Sequence, residues 1–153
     1  MDFKTRVPGA LGLAGVSADA LMVLLVGEAV PAALDKSLAA ALSAAVKDGD
    51  FAFKAGQLLY AHRVTGVKAP RVIFVYAGDG SAKAFRKAVA SGIGAIKGGG
   101  TQELAVALVG AELGDAHGEA LVAAATAATY VYRATKPSAA APGALRSVVQ
   151  LCS

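Results

Sequence analysis

The sequence is poor in the residues that most often build chemistry. It has one cysteine, Cys152, no tryptophan and two histidines, His62 and His117, in 153 residues. One cysteine excludes an internal disulfide framework and agrees with a reducing, cytoplasmic setting. With only two histidines beside it, a four-ligand zinc site of Cys and His is excluded as well. Acids are few: eleven Asp and Glu against fifteen Lys and Arg, for a net charge of +4. Long apolar runs are missing too. The densest, Leu21 to Val26, lies between Asp19 and Glu28 and has the length of a strand. A bilayer span needs about 18 or more consecutive apolar residues, so no membrane helix is expected.

What is present is alanine and glycine within a 56% apolar composition. At this length the chain forms one domain, residues 1–153, large enough for a core of its own. Lys4 and Arg6 precede the apolar stretch Val7–Val16 and the triplet Ala18-Asp19-Ala20, a superficial likeness to a secretory signal. Pro8, Gly9, Gly12 and Gly15 break the helix that such a signal requires, and Met1–Val7 reads instead as a short alternating strand. The positive charge is mild and skewed. Residues 1–70 carry seven bases and six acids, and residues 71–153 carry eight and five, which permits an anionic partner without demanding one.

Hydrophobic spacing gives the order of elements. A first helix opens at Val30-Pro31 and presents Leu34, Leu38, Leu42 and Val46 at four-residue intervals, with Ala41 and Ala45 beside them, as one apolar face. Gly49 ends it, at the position where a left-handed C′ residue is expected. Residues 57–64 and Arg71–Tyr76 read as two strands of a hairpin, with a turn at Thr65-Gly66. Ser81 is an N-cap for an amphipathic helix over 82–97, with Phe85, Val89, Ile93 and Ile96 on one face. Gly98–Gly100 stops it. Leu104–Val109 is a strand, 117–133 an Ala-rich helix carrying Leu121, Ala125, Ala128 and Tyr132, 136–143 a connection, and Leu145–Leu151 a final strand. The order ββαββαβαβ predicts a single, partly parallel sheet covered by helices.

Candidate chemistry is thin. Gly78-Asp79-Gly80 after a strand approaches the dinucleotide fingerprint, but its sixth position is Lys83 and no well-placed acid follows except Glu103. What remains is a turn, Gly78, Gly80 and Ser81, whose backbone N–H groups at a helix start suit an anion. Gly98–Gly100 follows a helix and lacks the Gly-Lys-Ser/Thr of a phosphate loop. His62 falls on a strand and His117 near a helix start, neither with a second ligand at metal spacing. Asp48 with Asp50, and Asp115 with Glu119, read as caps and first-turn acids. There is no nucleophile elbow, and Cys152 sits beside the end of the last strand. Lys83, Arg86, Lys87 and Lys97 gather on one face of the second helix; this is a solvated surface or a contact for a nucleic-acid backbone, without the interleaved aromatics that stack bases.

The stretch after the first helix carries a resemblance. Gly49, Asp50, Phe51, Lys54, Gly56 and Gln57 fit the G-(D/E)-F-x-G-K-x-G-(E/Q) pattern of the N-terminal domain of leucyl (cytosol) aminopeptidases, peptidase family M17, with Phe53 where a glycine is usual. Arg71–Val75 followed by Gly78 resembles the family's R-V-L-L-V-G-L-G. Phe85-Arg86 with Ala88 resembles its L-R-x-A, and Tyr130-Val131-Tyr132 with Thr135-Lys136 its Y-x-F-x-x-(Y/F)-K. These motifs are turns and core positions; their shared order runs through nearly the whole chain.

The resemblance implies a three-layer α/β/α fold, a mixed, mostly parallel sheet of five or six strands with helices on both faces, like a macro domain. It also implies that the catalytic residues lie elsewhere. Members of the family remove N-terminal residues from peptides with two divalent metals, zinc or manganese, held by Lys, Asp and Glu of a larger C-terminal domain that includes an N-T-D-A-E-G-R-L segment. No such segment occurs here. The expectation is therefore an N-terminal domain with no catalytic, cofactor or metal residue of its own, whose partners are its C-terminal domain and the other subunits of a homo-hexamer. Phe51 and Phe53 are expected to pack onto the sheet, with Asp50 and Lys54 at the surface. The alternatives are a macro-like module that binds a nucleotide or ADP-ribose near Gly78–Ser81, and a domain that contacts DNA through the basic helix face.

Overall fold

A computed structural model describes residues 2–6, 15–16, 18–26, 36–49, 51–52, 54, 57–62, 64, 66–78, 80–96, 103–109, 115–135 and 147–151. Among the described residues, six strands and three helices follow in the expected order: β1 Asp2–Arg6, β2 Ala20–Leu25, α1 Lys36–Asp48, β3 Leu58–His62, β4 Arg71–Tyr76, α2 Ala82–Ile96, β5 Glu103–Val109, α3 Asp115–Thr135 and β6 Ser147–Leu151. They form one sheet in the order β1-β6-β5-β2-β4-β3. Every neighbouring pair is parallel except β3 with β4.

β2 is the middle of this arrangement. It pairs with β4 through Ala20↔Arg71 to Leu25↔Tyr76 and with β5 through Ala20↔Leu104 to Leu25↔Val109. All six of its side chains are buried. Buried on both faces, such a strand has to be apolar at consecutive positions, not alternating ones, and Ala-Leu-Met-Val-Leu-Leu supplies that run. Leu21, Val23 and Leu25 point to one layer, where they meet Leu38 and Leu42 of α1, Phe51, Val72 and Phe74. Ala20, Met22 and Leu24 point to the other, where Phe85, Val89 and Ile93 of α2 and Leu121 and Ala125 of α3 lie. The layers are thus α1, the sheet, and the α2–α3 pair. Each large apolar side chain buried this way contributes on the order of 1.5–3 kcal/mol.

Local signals end the elements as anticipated. Gly49 has φ 83°. Its N–H donates to Val46 C=O at 3.2 Å, and Phe51 N–H to Ala45 C=O at 3.3 Å, so the chain folds back over the last turn of α1. That reversal delivers Phe51, 2% exposed, to the core, and leaves Lys54 exposed. Asp50, Phe53 and Gly56 lie outside the described residues, as do the expected helix start at Val30-Pro31 and the triplet Gly98–Gly100.

One expected core position is corrected. Val46 is 36% exposed, whereas Ala45, expected on the same face, is buried. Four-residue steps advance about 40° beyond a full turn on a helix of 3.6 residues per turn, so two steps from Leu38 rotate Val46 off the face to which Ala45, seven residues on, returns. The β3–β4 pairing is the expected antiparallel hairpin, with strands of Leu58–His62 and Arg71–Tyr76 joined by a longer connection than the turn at 65–66 implied. α3 is longer than expected at both ends, Asp115–Thr135.

Opposite the helix starts, Asp19 ties three strands together. Its Oδ2 accepts from Glu103 N–H at 3.0 Å, its own N–H donates to Glu103 C=O at 3.1 Å, and its C=O accepts from Arg71 Nη1 at 3.2 Å. These bonds sit at the entries of β2, β5 and β4. Asp19→Ala removes the carboxylate bond and should lower unfolding free energy by about 1–3 kcal/mol, as for a hydrogen bond to a charged group. Asp19→Asn keeps an acceptor and should lose less; urea titration of both variants reads the difference.

α2 carries two glycines with unequal expectations. A Cβ on Gly92 would fall on Cε of Met22 and 2.7 Å from its Sδ, and Met22 is fully buried. A Cβ on Gly94, which is exposed, meets nothing within 4 Å. Gly94→Ala should therefore stabilise by about 0.5–1 kcal/mol through helix propensity. Gly92→Ala gains the same propensity but forces the flexible end of Met22 to shift within the core, so it should raise the urea midpoint less than Gly94→Ala does.

Candidate functional site

The C-terminal edge of a parallel sheet is where connections leave for opposite faces and where crevices form. Here β2 leads toward α1, while β4 and β5 lead to α2 and α3 on the other side. The edge is stitched by Ala77 N–H to Leu25 C=O at 2.7 Å and Val26 N–H to Val109 C=O at 3.1 Å.

The turn singled out in the sequence lies at this edge. Gly80 N–H donates to Ala77 C=O at 3.0 Å, closing a four-residue turn. Gly78 at φ 61° and Gly80 at φ 78° hold backbone conformations that a side chain would strain. Ser81 follows as the N-cap: its Oγ accepts from Ala84 N–H at 3.3 Å, and its C=O accepts the first helical bond, from Phe85 N–H, at 2.8 Å. The cap therefore uses Ala84 N–H, one of the first-turn donors that an anion would otherwise engage.

His117, in the first turn of α3, reaches the same turn. Its Nε2 lies 2.7 Å from Gly80 C=O. A carbonyl only accepts, so Nε2 carries the proton. The ring also packs against Phe85 with centroids 5.3 Å apart at 59°. One half-buried imidazole thus fastens the start of α3 to the turn that starts α2. The sequence placed His117 near a helix start but gave no sign of this contact, which spans 37 residues.

Lys83, Arg86 and Lys87 are exposed on the outer side of α2; Lys97 lies outside the described residues. Beside them runs an open groove of about 380 Å³, between the end of β4 and the flank of α2. Val75, Ala77, Ala84 and Ala88 are among its lining residues, with Lys87 and Ser91 at its rim. His62, on β3, is far along the chain from His117, and among the described residues no three His, Cys, Asp or Glu side chains converge on a point that would hold a metal. No helix among them is long and apolar enough to cross a membrane.

His117→Ala leaves Gly80 C=O without this donor and opens space beside Phe85. The loss should be about 1–3 kcal/mol of stability, the cost of a buried acceptor left unpaired. His117→Phe restores the ring but not the bond and should recover only part of it; thermal unfolding of the two variants separates the contributions.

The comparisons agree with this architecture. The profile described as the cytosol aminopeptidase family, N-terminal domain, matches residues 21–138. A probable cytosol aminopeptidase of Methylibium petroleiphilum is 50% identical over 99% of this chain and 31% of its own length. Another, of Polaromonas naphthalenivorans, is 39% identical over 97% of this chain and 29% of its own. The chain thus spans about a third of the length of these relatives. Among solved structures, a mutant of tomato leucine aminopeptidase superposes with a TM-score of 0.69 at 20% identity, over 99% of this chain and 32% of that one. The macrodomain of Mycobacterium tuberculosis DarG superposes with a TM-score of 0.56 at 13% identity, over 96% of this chain and 97% of that one. The fold is the one these structures share, and the chain belongs to the cytosol aminopeptidase family, whose N-terminal domain it matches.

Proposed function

We propose that the chain is the non-catalytic N-terminal domain of a longer cytosol aminopeptidase. The observation that carries this reading is the match of residues 21–138 to the N-terminal domain of the family, in relatives about three times as long. The remainder of such a protein would remove N-terminal residues from peptides with two divalent metals, zinc or manganese. A two-metal site needs several converging carboxylates. The described part of this chain offers paired acids at most, so the ligands would come from the remainder. Within that enzyme the domain would stand at the periphery of a cytoplasmic homo-hexamer, where it shapes access to the active sites and supports assembly.

The test is an activity split. The 153-residue chain should show no turnover of a leucine anilide with zinc or manganese, whereas the polypeptide encoded by the longer reading frame should be active. Metal-dependent turnover by the short chain after rigorous purification would overturn the assignment.

A second reading rests on the likeness to macrodomains and on the Gly78–Ser81 turn at the sheet edge. In it the turn holds the phosphates of a nucleotide or ADP-ribose. Titration calorimetry with ADP-ribose decides it: heat that saturates and disappears in Gly80→Ala supports the site, and a flat trace removes it. DNA contact through Lys83, Arg86 and Lys87 is a third reading, marked by salt-sensitive binding.

A further inference from the structure

We infer that the groove beside α2 is a docking surface for an acidic, amphipathic segment from the remainder of the longer chain. The inference rests on the proposed function and adds a location and a chemistry to it. Two independent features of α2 meet at the groove. The floor is apolar: Val75, Ala77 and Ala88 are 2%, 1% and 4% exposed, and with Ala84 they leave room because each of their α2 members ends at Cβ. The adjoining crest is basic. Lys83 and Lys87 stand one helical turn apart, both exposed, and Arg86 lies beside them.

The helix itself carries no acid. From Gly80 to Gln102 the sequence contains no Asp or Glu. α1 by contrast ends in Lys47 and Asp48, so its outer surface carries both signs. A solvated helix face ordinarily mixes signs. A basic crest along an apolar groove fits a partner with the complementary pattern, apolar side chains flanked by carboxylates.

A nucleic acid matches the crest but not the floor. Phosphates gain nothing from Val75 and Ala88, and Tyr76, the aromatic among the lining residues, packs its side chain against the cluster on the α1 side of the sheet, away from a base in the groove. The remainder of the longer chain is the occupant of choice because relatives of this domain carry it covalently. Tethering supplies a high effective concentration, so a groove too small for a stable free complex is sufficient.

The test uses the longer polypeptide beside the 153-residue chain. Lys83 and Lys87 should react readily with an amine-acetylating reagent in the short chain and severalfold more slowly in the long one. A carbodiimide should join them, without a spacer, to Asp or Glu residues beyond position 153. Lys83→Glu with Lys87→Glu should abolish those cross-links. Ala84→Leu fills the groove at unchanged charge and should restore acetylation of Lys87 in the long protein.

Equal acetylation in the two proteins, with no cross-link, overturns the docking site even if the long protein is an active aminopeptidase. Protection by duplex DNA in the short chain, with none in the long protein alone, overturns it in favour of a phosphate backbone. A reading frame that closes at Ser153 removes the occupant and takes the proposed function with it.

Discussion

The structure depends on a strand that has no solvent side. β2 is paired on both edges, by β4 and β5, and buried on both faces. Each of its backbone groups must find a partner in the neighbouring strands, because no water reaches them. Each of its side chains must find apolar contacts in one of two helical layers. Much of the architecture follows. A parallel neighbour requires a crossover, the crossovers are helices, and helices are needed on both faces. Asp19, at the entry of β2, fixes the start of that strand to β5 and β4 with the same economy.

The edge opposite Asp19 is governed by turns and caps. Gly78 and Gly80 bend the chain out of β4, Ser81 starts α2, and His117 locks the start of α3 to Gly80. These groups largely satisfy one another. What α2 presents outward is another matter: a basic crest and an apolar groove that belong to no internal contact described here. The helix commits one side, Phe85, Val89 and Ile93, to the core and charges the other, at Lys83, Arg86 and Lys87, with one sign.

Much of the fold was legible in the sequence. The strand over Arg71–Tyr76, the cap at Ser81, the left-handed Gly49 and the order of nine elements are local matters, settled within a few residues by side-chain period, capping chemistry and φ. Val46 shows the limit of the same logic, since a regular four-residue spacing looks like a single face but drifts around the helix. The candidate site was legible in part. The exposed lysines of α2 and the turn before it were evident, whereas the groove was not, because it arises only when β4 and α2 are set side by side. His117 was unreadable for the same reason: no pattern connects a helix-start histidine to a carbonyl 37 residues earlier.

The sequence by itself determined which segments are strands and helices, where they stop, and that one cysteine and two histidines cannot build a four-ligand zinc site. Through its motifs it also carried the family. Only the tertiary structure decided that β1 pairs with β6 from the other end of the chain, that β2 and not β4 takes the centre, and that α2 and α3 share a layer. Those choices rest on contacts between residues far apart in the chain. Their energy comes from surface buried jointly, and no single segment encodes that surface.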